Sequence, residues 1–304
     1  MRSEESRLDG TDEGGQAPGQ GSMAWRIHRE RIVLLGWGRA ILLQFAHPLV
    51  AAGVAAHSPF RTEPWGRLRR LRRTVDAMLG LTFGTPSEAA AVVRNIRTRH
   101  EEVRGHLLAP AGVFPAGTAY SADDPALLRW VQNTLTDSHL LTYALFIGPL
   151  TPEEGDRYCA EAARMGRALG IPEGSLPTSV AALRQDMEAM GTSGQIIVTD
   201  TARMLAHELL YPPTLGVAGP LVGLLRLATL GLLPPPIRDA YGFSWDARDE
   251  RALRLSARCL RGLLPCVPSR FRYWANARAA LREASHSPGL QTQASSSEEG
   301  ETRE

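Results

Sequence analysis

A histidine interrupts an otherwise apolar helical stripe. After Thr85 the residues Ala89, Val93 and Ile96 recur at steps of three and four, His100 takes the next position, and Val103 and Leu107 continue the line. The charged residues between them, Arg94, Arg97, Arg99, Glu101, Glu102 and Arg104, point elsewhere. An imidazole stands where a leucine would pack, and burying it is unfavourable unless its nitrogens find partners. Haem iron is one such partner, since neutral imidazole is its usual axial ligand and an apolar wall suits a porphyrin. A carbonyl or a neighbouring side chain is another, and on this helix by itself it is the plainer reading.

A second constellation precedes it. Arg70 and Thr74 are four residues apart and share a helical face, with Arg73 beside them. A guanidinium and a hydroxyl facing one pocket can hold a carboxylate, such as a porphyrin propionate, or steer bound oxygen. Five arginines lie between Arg67 and Arg73, so a solvated basic face explains Arg67, Arg69 and Arg72 more simply. His47 and His57 bracket a break at His47-Pro48, where the proline favours an extended residue before it. Trp130, Thr134, Ser138 and Leu141 share a face that suits core packing better than a pocket wall. His28, His106, His139, His207 and His286 show no comparable patterning.

The elements that must position these residues are helical. Apolar residues at helical spacing run through the chain without a repeat or a clear alternating strand. Residues 32–54 are apolar nearly all round, with Gly36 and Gly38 allowing close approach by neighbours, and read as a buried helix broken at His47-Pro48. An arginine-rich helix follows over Gly66–Leu81. Thr85-Pro86-Ser87-Glu88 is a capping start for the helix expected to reach about Leu108. Similar signals at Asp124-Pro125 and Thr151-Pro152-Glu153-Glu154 open two more. Further helices are expected over Ser179–Met190, Thr199–Leu210, Leu221–Leu232, Asp246–Leu264 and Arg270–Arg282. Leu215–Leu233 is the nearest membrane-span candidate, but it is short, bracketed by prolines and interrupted by Arg226.

Composition bounds what such a chain can do. Its 304 residues are 43% hydrophobic and 22% charged, with a formal net charge of +2, which gives no nucleic-acid footprint. All 34 basic residues are arginine, so no site can draw on a lysine amine. The 3 cysteines, Cys159, Cys259 and Cys266, are too few and too irregular for a disulfide framework or a zinc site. Residues 1–22 and 285–304 read as disordered tails around one helical domain over 23–284. The first of these tails lacks the apolar core of a signal peptide, and a cytoplasmic protein is the default. There is no GxSxG elbow, Walker loop, HExxH or CxxCH, so any haem must be held without covalent attachment.

The order of motifs resembles the family of rubber oxygenase (latex clearing protein) and the mycophenolic-acid-pathway oxygenase. The resemblance is carried by His47-Pro48, Ala52-Gly53-Val54 with His57-Ser58, Arg70-Leu71 with Arg73-Thr74, and Phe83-Gly84-Thr85. Arg97 to Gly105, Tyr120 to Pro125, Leu128 to Val131, Gly170-Ile171-Pro172, Leu233-Pro234, Arg238 and Tyr241-Gly242 continue it. It implies an all-α, globin-like haem-b domain that uses dioxygen on a hydrophobic, often isoprenoid, substrate. By position it implies His100 as the iron ligand, and Arg70 and Thr74 as groups near the distal side or haem edge. Arg73 stands where rubber oxygenases carry a lysine able to ligate iron, which an always-protonated guanidinium cannot do. The stretch expected to hold their catalytic glutamate offers His57 instead. A haem- or lipid-binding module without turnover and a membrane-associated interaction protein are the alternatives.

Overall fold

The computed structural model describes residues 19, 21–57, 66–211 and 219–279, and within them the chain is helical apart from one small hairpin. The expected all-α class therefore holds. The tails expected over 1–22 and 285–304 fall almost wholly outside the described residues. A short α1 (Met23–His28), not foreseen in the sequence, starts the chain, and the buried Glu161 carboxylate accepts hydrogen bonds from the backbone of Met23 and Ala24 at 3.1 and 2.6 Å. The apolar run that follows is split as the His47-Pro48 break requires. A 3-10 turn over Arg31–Gly36 leads into α2 (Trp37–Phe45), and α3 (Pro48–His57) departs at 105°. No single described helix is long and apolar enough to cross a membrane.

Gly36 and Gly38 have the role that their positions suggest. A Cβ on Gly36 would sit 2.1 Å from the Thr142 hydroxyl, and one on Gly38 would sit 2.1 Å from that of Thr229. The glycines let two neighbouring helices touch this segment's backbone, and a methyl there would cost roughly 1–3 kcal/mol by overpacking. Arg39, the charge inside the run, is buried with all of its work internal. It donates to the Leu232 carbonyl, the Ser138 hydroxyl and Asp137 at 2.7, 2.7 and 2.6 Å.

Two helices then form a hairpin, α4 (Gly66–Phe83) and α5 (Pro86–Glu101). Thr85 and Glu88 complete the capping box read from the sequence, with Pro86 in the first turn. The expectation that this helix reaches Leu108 is corrected. It stops at Glu101, and β1 (Arg104–His106) pairs antiparallel with β2 (Ala119–Ser121). Gly105 lets Tyr120 lie across the hairpin, since a Cβ there would come within 2.5 Å of the phenol oxygen. Val103 and Leu107 thus belong to the hairpin region and not to the helical stripe.

Two more helices begin at the predicted caps. Asp124 opens α6 (Pro125–Phe146), and Thr151 with Glu154 opens α7 (Pro152–Ala168). Ser179 and Thr199 cap α8 (Val180–Thr192) and α9 (Asp200–Leu210). Next come α10 (Gly219–Leu232), an unforeseen α11 (Pro235–Ala240), and α12 (Ala247–Leu263), capped by Asp246. The helix expected over Arg270–Arg282 is instead a four-residue α13 (Ser269–Arg272). It is interrupted where Tyr273 bridges to Glu30, before a further helical stretch at 275–279. Arg272 grips the buried Glu30 with two donors at 2.6 and 2.8 Å, tying this end to the start of the chain. The main core joins α2, α3, α6 and α9. Trp130 belongs to it and Ser138 and Thr134 are fully buried, so that face of α6 is packing, as read; Leu141 turns outward.

Candidate functional site

His100 occupies the last turn of α5, and the surface around it is open. Ala89 is the one buried residue of that helix, whereas Val93, Ile96 and His100 are half-buried. The expectation of an imidazole packed like a core leucine is revised: its side chain keeps 31% of its exposure. The reason lies in packing, because α5 has α4 as its principal neighbour and no second helix covers the stripe to a similar extent. An apolar strip ending in a histidine is left facing outward among the described residues.

The ring's two nitrogens are unlike. Nδ1 lies 4.0 Å from an Asp123 carboxylate oxygen, and Arg104 stands 4.0 Å from the other oxygen. Nε2 has no hydrogen-bond partner among the described residues. Burial pushes the imidazole below its usual range, with Asp123 opposing, so the neutral form is favoured. A neutral imidazole with a carboxylate near one nitrogen, and no partner at the other among the described residues, is a state compatible with metal ligation.

The arginine-rich α4 is the helix that pairs with α5. A Cβ on Gly84 would meet Glu88 and one on Gly80 would meet Val92, so the hairpin steps back four for four. Continued along both helices, this register puts His100 level with the turn that carries Arg70, Arg72 and Arg73. Arg73 and Thr74 are exposed there, and Thr74 has an interaction of its own. Arg70 belongs to the helix, but its side chain lies outside the described residues. Arg70, Arg73 and Thr74 thus lie on the helix that pairs with the one ending in His100.

The end of α3 closes on the same region. Gly53 packs against Val103 and Tyr120, and the ring of His57 meets Tyr120 edge-on at 6.3 Å. His57 Nδ1 donates to the Gly53 carbonyl at 3.2 Å. His47 is buried at the α2–α3 bend with Nδ1 unpartnered among the described residues, its ring 5.3 Å from Phe114. Burial takes its pKa down to about 4, against Gln195 and Asp124.

Among the described residues no three His, Cys, Asp or Glu side chains converge as a metal cluster. A haem needs only one axial protein ligand, and the donor chemistry here fits it: a neutral imidazole whose Nε2 has no partner among the described residues, with an apolar strip beside it. Asp123 and the hairpin escaped the sequence reading. Their only signal was Tyr120–Pro125, which reads first as a helix start.

Two histidines without a sequence pattern proved to be the most tightly held. His28, His139, Trp37, Tyr158 and Thr82 form one buried chain of hydrogen bonds, 2.8 to 3.0 Å long. The Trp37 indole can only donate, so His139 accepts at Nε2 and donates from Nδ1 to Tyr158. Tyr158 then donates to His28 Nε2, and His28 Nδ1 donates to Thr82. A proton added to either ring would set two donors against each other. Burial agrees, lowering His28 to about 4 and His139 well below its usual value, with His28 itself a second cause for His139.

Comparison with known proteins bears on the hairpin and its surroundings together. The family described as "ER-bound oxygenase mpaB/B'/Rubber oxygenase, catalytic domain" matches residues 25–262. Uncharacterised proteins of Mycobacterium tuberculosis (strain H37Rv) and Mycobacterium bovis are each 27% identical over 235 residues, covering 76% of this chain and 88% of the relative. No solved structure matches it.

Proposed function

Since the chain belongs to the MpaB and rubber oxygenase catalytic-domain family, an oxygenase family, we propose that it is a haem-b-dependent oxygenase acting with dioxygen on a small hydrophobic substrate. The observation that carries the reading is His100: a neutral imidazole, one nitrogen toward Asp123 and the other without a partner among the described residues, at the end of a half-buried apolar strip. When bound, haem would supply a redox-active iron at which dioxygen is activated.

The chain's own residues have distinct parts in this reading. His100 Nε2 would hold the iron. Asp123 would keep the imidazole Nδ1–H oriented and raise the ring's basicity. Arg70 and Thr74 would anchor a propionate or steer oxygen through charge-assisted bonds, and Arg73 would add positive charge without being able to ligate. His57, on the α3 side with its Nδ1 tied to the Gly53 carbonyl, would meet substrate or water through Nε2. Val93 and Ile96 would offer the bound group an apolar wall. We place this activity in the cytoplasm, with the electron donor a separate partner.

A haem-binding module without turnover is the second reading. Arg73 in place of a ligating lysine and His57 in place of a glutamate favour it. Expression with a haem precursor, followed by oxygen consumption with isoprenoid lipids, separates the two. Uptake of oxygen supports the oxygenase; a stable haem spectrum with no uptake supports the module; a folded, colourless protein contradicts both.

A further inference from the structure

The outward side of α12 carries an apolar stripe that no core residue needs. At about 100° per residue, Leu253, Ala257 and Leu260 form its inner face and pack in the cluster shared with α10. Leu255, Cys259 and Leu263 run along the opposite side at steps of four, and the two leucines are 62% and 60% exposed. Arg251, Arg254, Arg258 and Arg261 follow the neighbouring edge at steps of three and four. Arg254 is held by Glu250, and Arg261 bonds the Ala144 and Leu145 carbonyls at the end of α6. Arg251 and Arg258 meet no carboxylate among the described residues.

The patch extends beyond this helix. Gly231 of α10 lies against Leu253, and the two helices share one apolar cluster. Leu221, near the start of α10, is 72% exposed as well. Single exposed leucines are ordinary, but a run of them beside a row of arginines is the pattern of an interfacial helix.

We propose that the outer face of α12 docks on an anionic membrane surface. The leucines need an apolar phase and the arginines need anions, and the headgroup region of an anionic bilayer offers both. A nucleic acid would answer the arginines alone. So would the chain's own acidic end, Ser295–Glu304, which holds no apolar side chain to cover the leucines. Docking does not depend on haem; it supplies the phase from which a hydrophobic substrate would reach the protein.

The test uses the full chain with phosphatidylcholine vesicles, with and without phosphatidylglycerol. The protein should float with the anionic vesicles only. A polarity-sensitive dye on the exposed Cys259, in a Cys266→Ser background, should shift to the blue on binding. Leu255→Glu with Leu263→Glu should abolish flotation, and Arg251→Gln with Arg258→Gln should weaken it about 30-fold. All four positions are exposed, and circular dichroism checks that the helices persist. The proposal is overturned by absence of flotation and dye shift in the parent chain. It is equally overturned if flotation survives the α12 changes but is lost in Arg69→Glu with Arg72→Glu on α4. Self-association through the leucines without vesicle binding would overturn it too.

Discussion

In the core, His28 and His139 commit all four ring nitrogens to Thr82, Tyr158 and Trp37; at the end of α5, His100 has one nitrogen toward Asp123 and the other without a partner among the described residues. Both pairs of surroundings favour neutral imidazole, by burial. They differ in what the neutrality is for. The core rings are held by a one-directional chain drawn from α1, α2, α4, α6 and α7, and nothing further can bind them without breaking it. His100 is held loosely, at the rim of a two-helix hairpin, and keeps its lone pair available. Satisfied histidines fix the packing of the helices, and an unsatisfied one is where a ligand can add binding energy.

The largest expected effect separates the two directly. His100→Ala should abolish haem uptake while leaving the thermal transition of the ligand-free protein within a degree or two, because little packing is lost at a half-buried site. Tyr158→Phe should do the reverse. It strands His28 Nε2 and His139 Nδ1 in the core, costing roughly 2–4 kcal/mol in a denaturant titration, with the haem spectrum unchanged once folded. A shifted Soret band in Tyr158→Phe would show that the two regions are coupled and break the comparison.

Acidification should weaken the core next. His28 has a folded pKa of about 4 against 6.5 in the unfolded chain, so below 6.5 the unfolded state binds the extra proton. Stability is therefore greatest above pH 6.5 and falls as pH drops toward 4, by about 2 kcal/mol for His28 between pH 7 and 5. His139 and His47 shift in the same direction and add to the slope. Replacing His28 by Gln should flatten this dependence, measured as unfolding midpoints across that range. The smallest effect is expected for Asp123→Asn: haem affinity lower by about tenfold, with a weaker iron–imidazole bond seen by resonance Raman. An unchanged vibration would remove Asp123 from the account.

Helix starts were legible because they depend on neighbours in sequence: Thr85 with Glu88, Thr151 with Glu154, and Asp124 with Ala126 act within one turn. The break before Pro48 and the glycines against Thr142 and Thr229 were legible for the same local reason. The hairpin was not, because two three-residue strands, Arg-Gly-His and Ala-Tyr-Ser, are too short to show alternation. The stripe of α5 therefore read two positions too far. His28 and His139 gave no sign because their partners lie on other helices, with Tyr158 130 residues from His28. His100 stood out through its own helix; Asp123, its neighbour in space, came only with the fold.

One absorption spectrum tests the central claim. The protein purified after expression with a haem precursor should show a Soret band, His100→Ala should lose it while keeping its helical circular dichroism, and added imidazole should restore it in part. A Soret band undiminished in His100→Ala, or a folded parent protein that takes up no haem, would contradict the assignment.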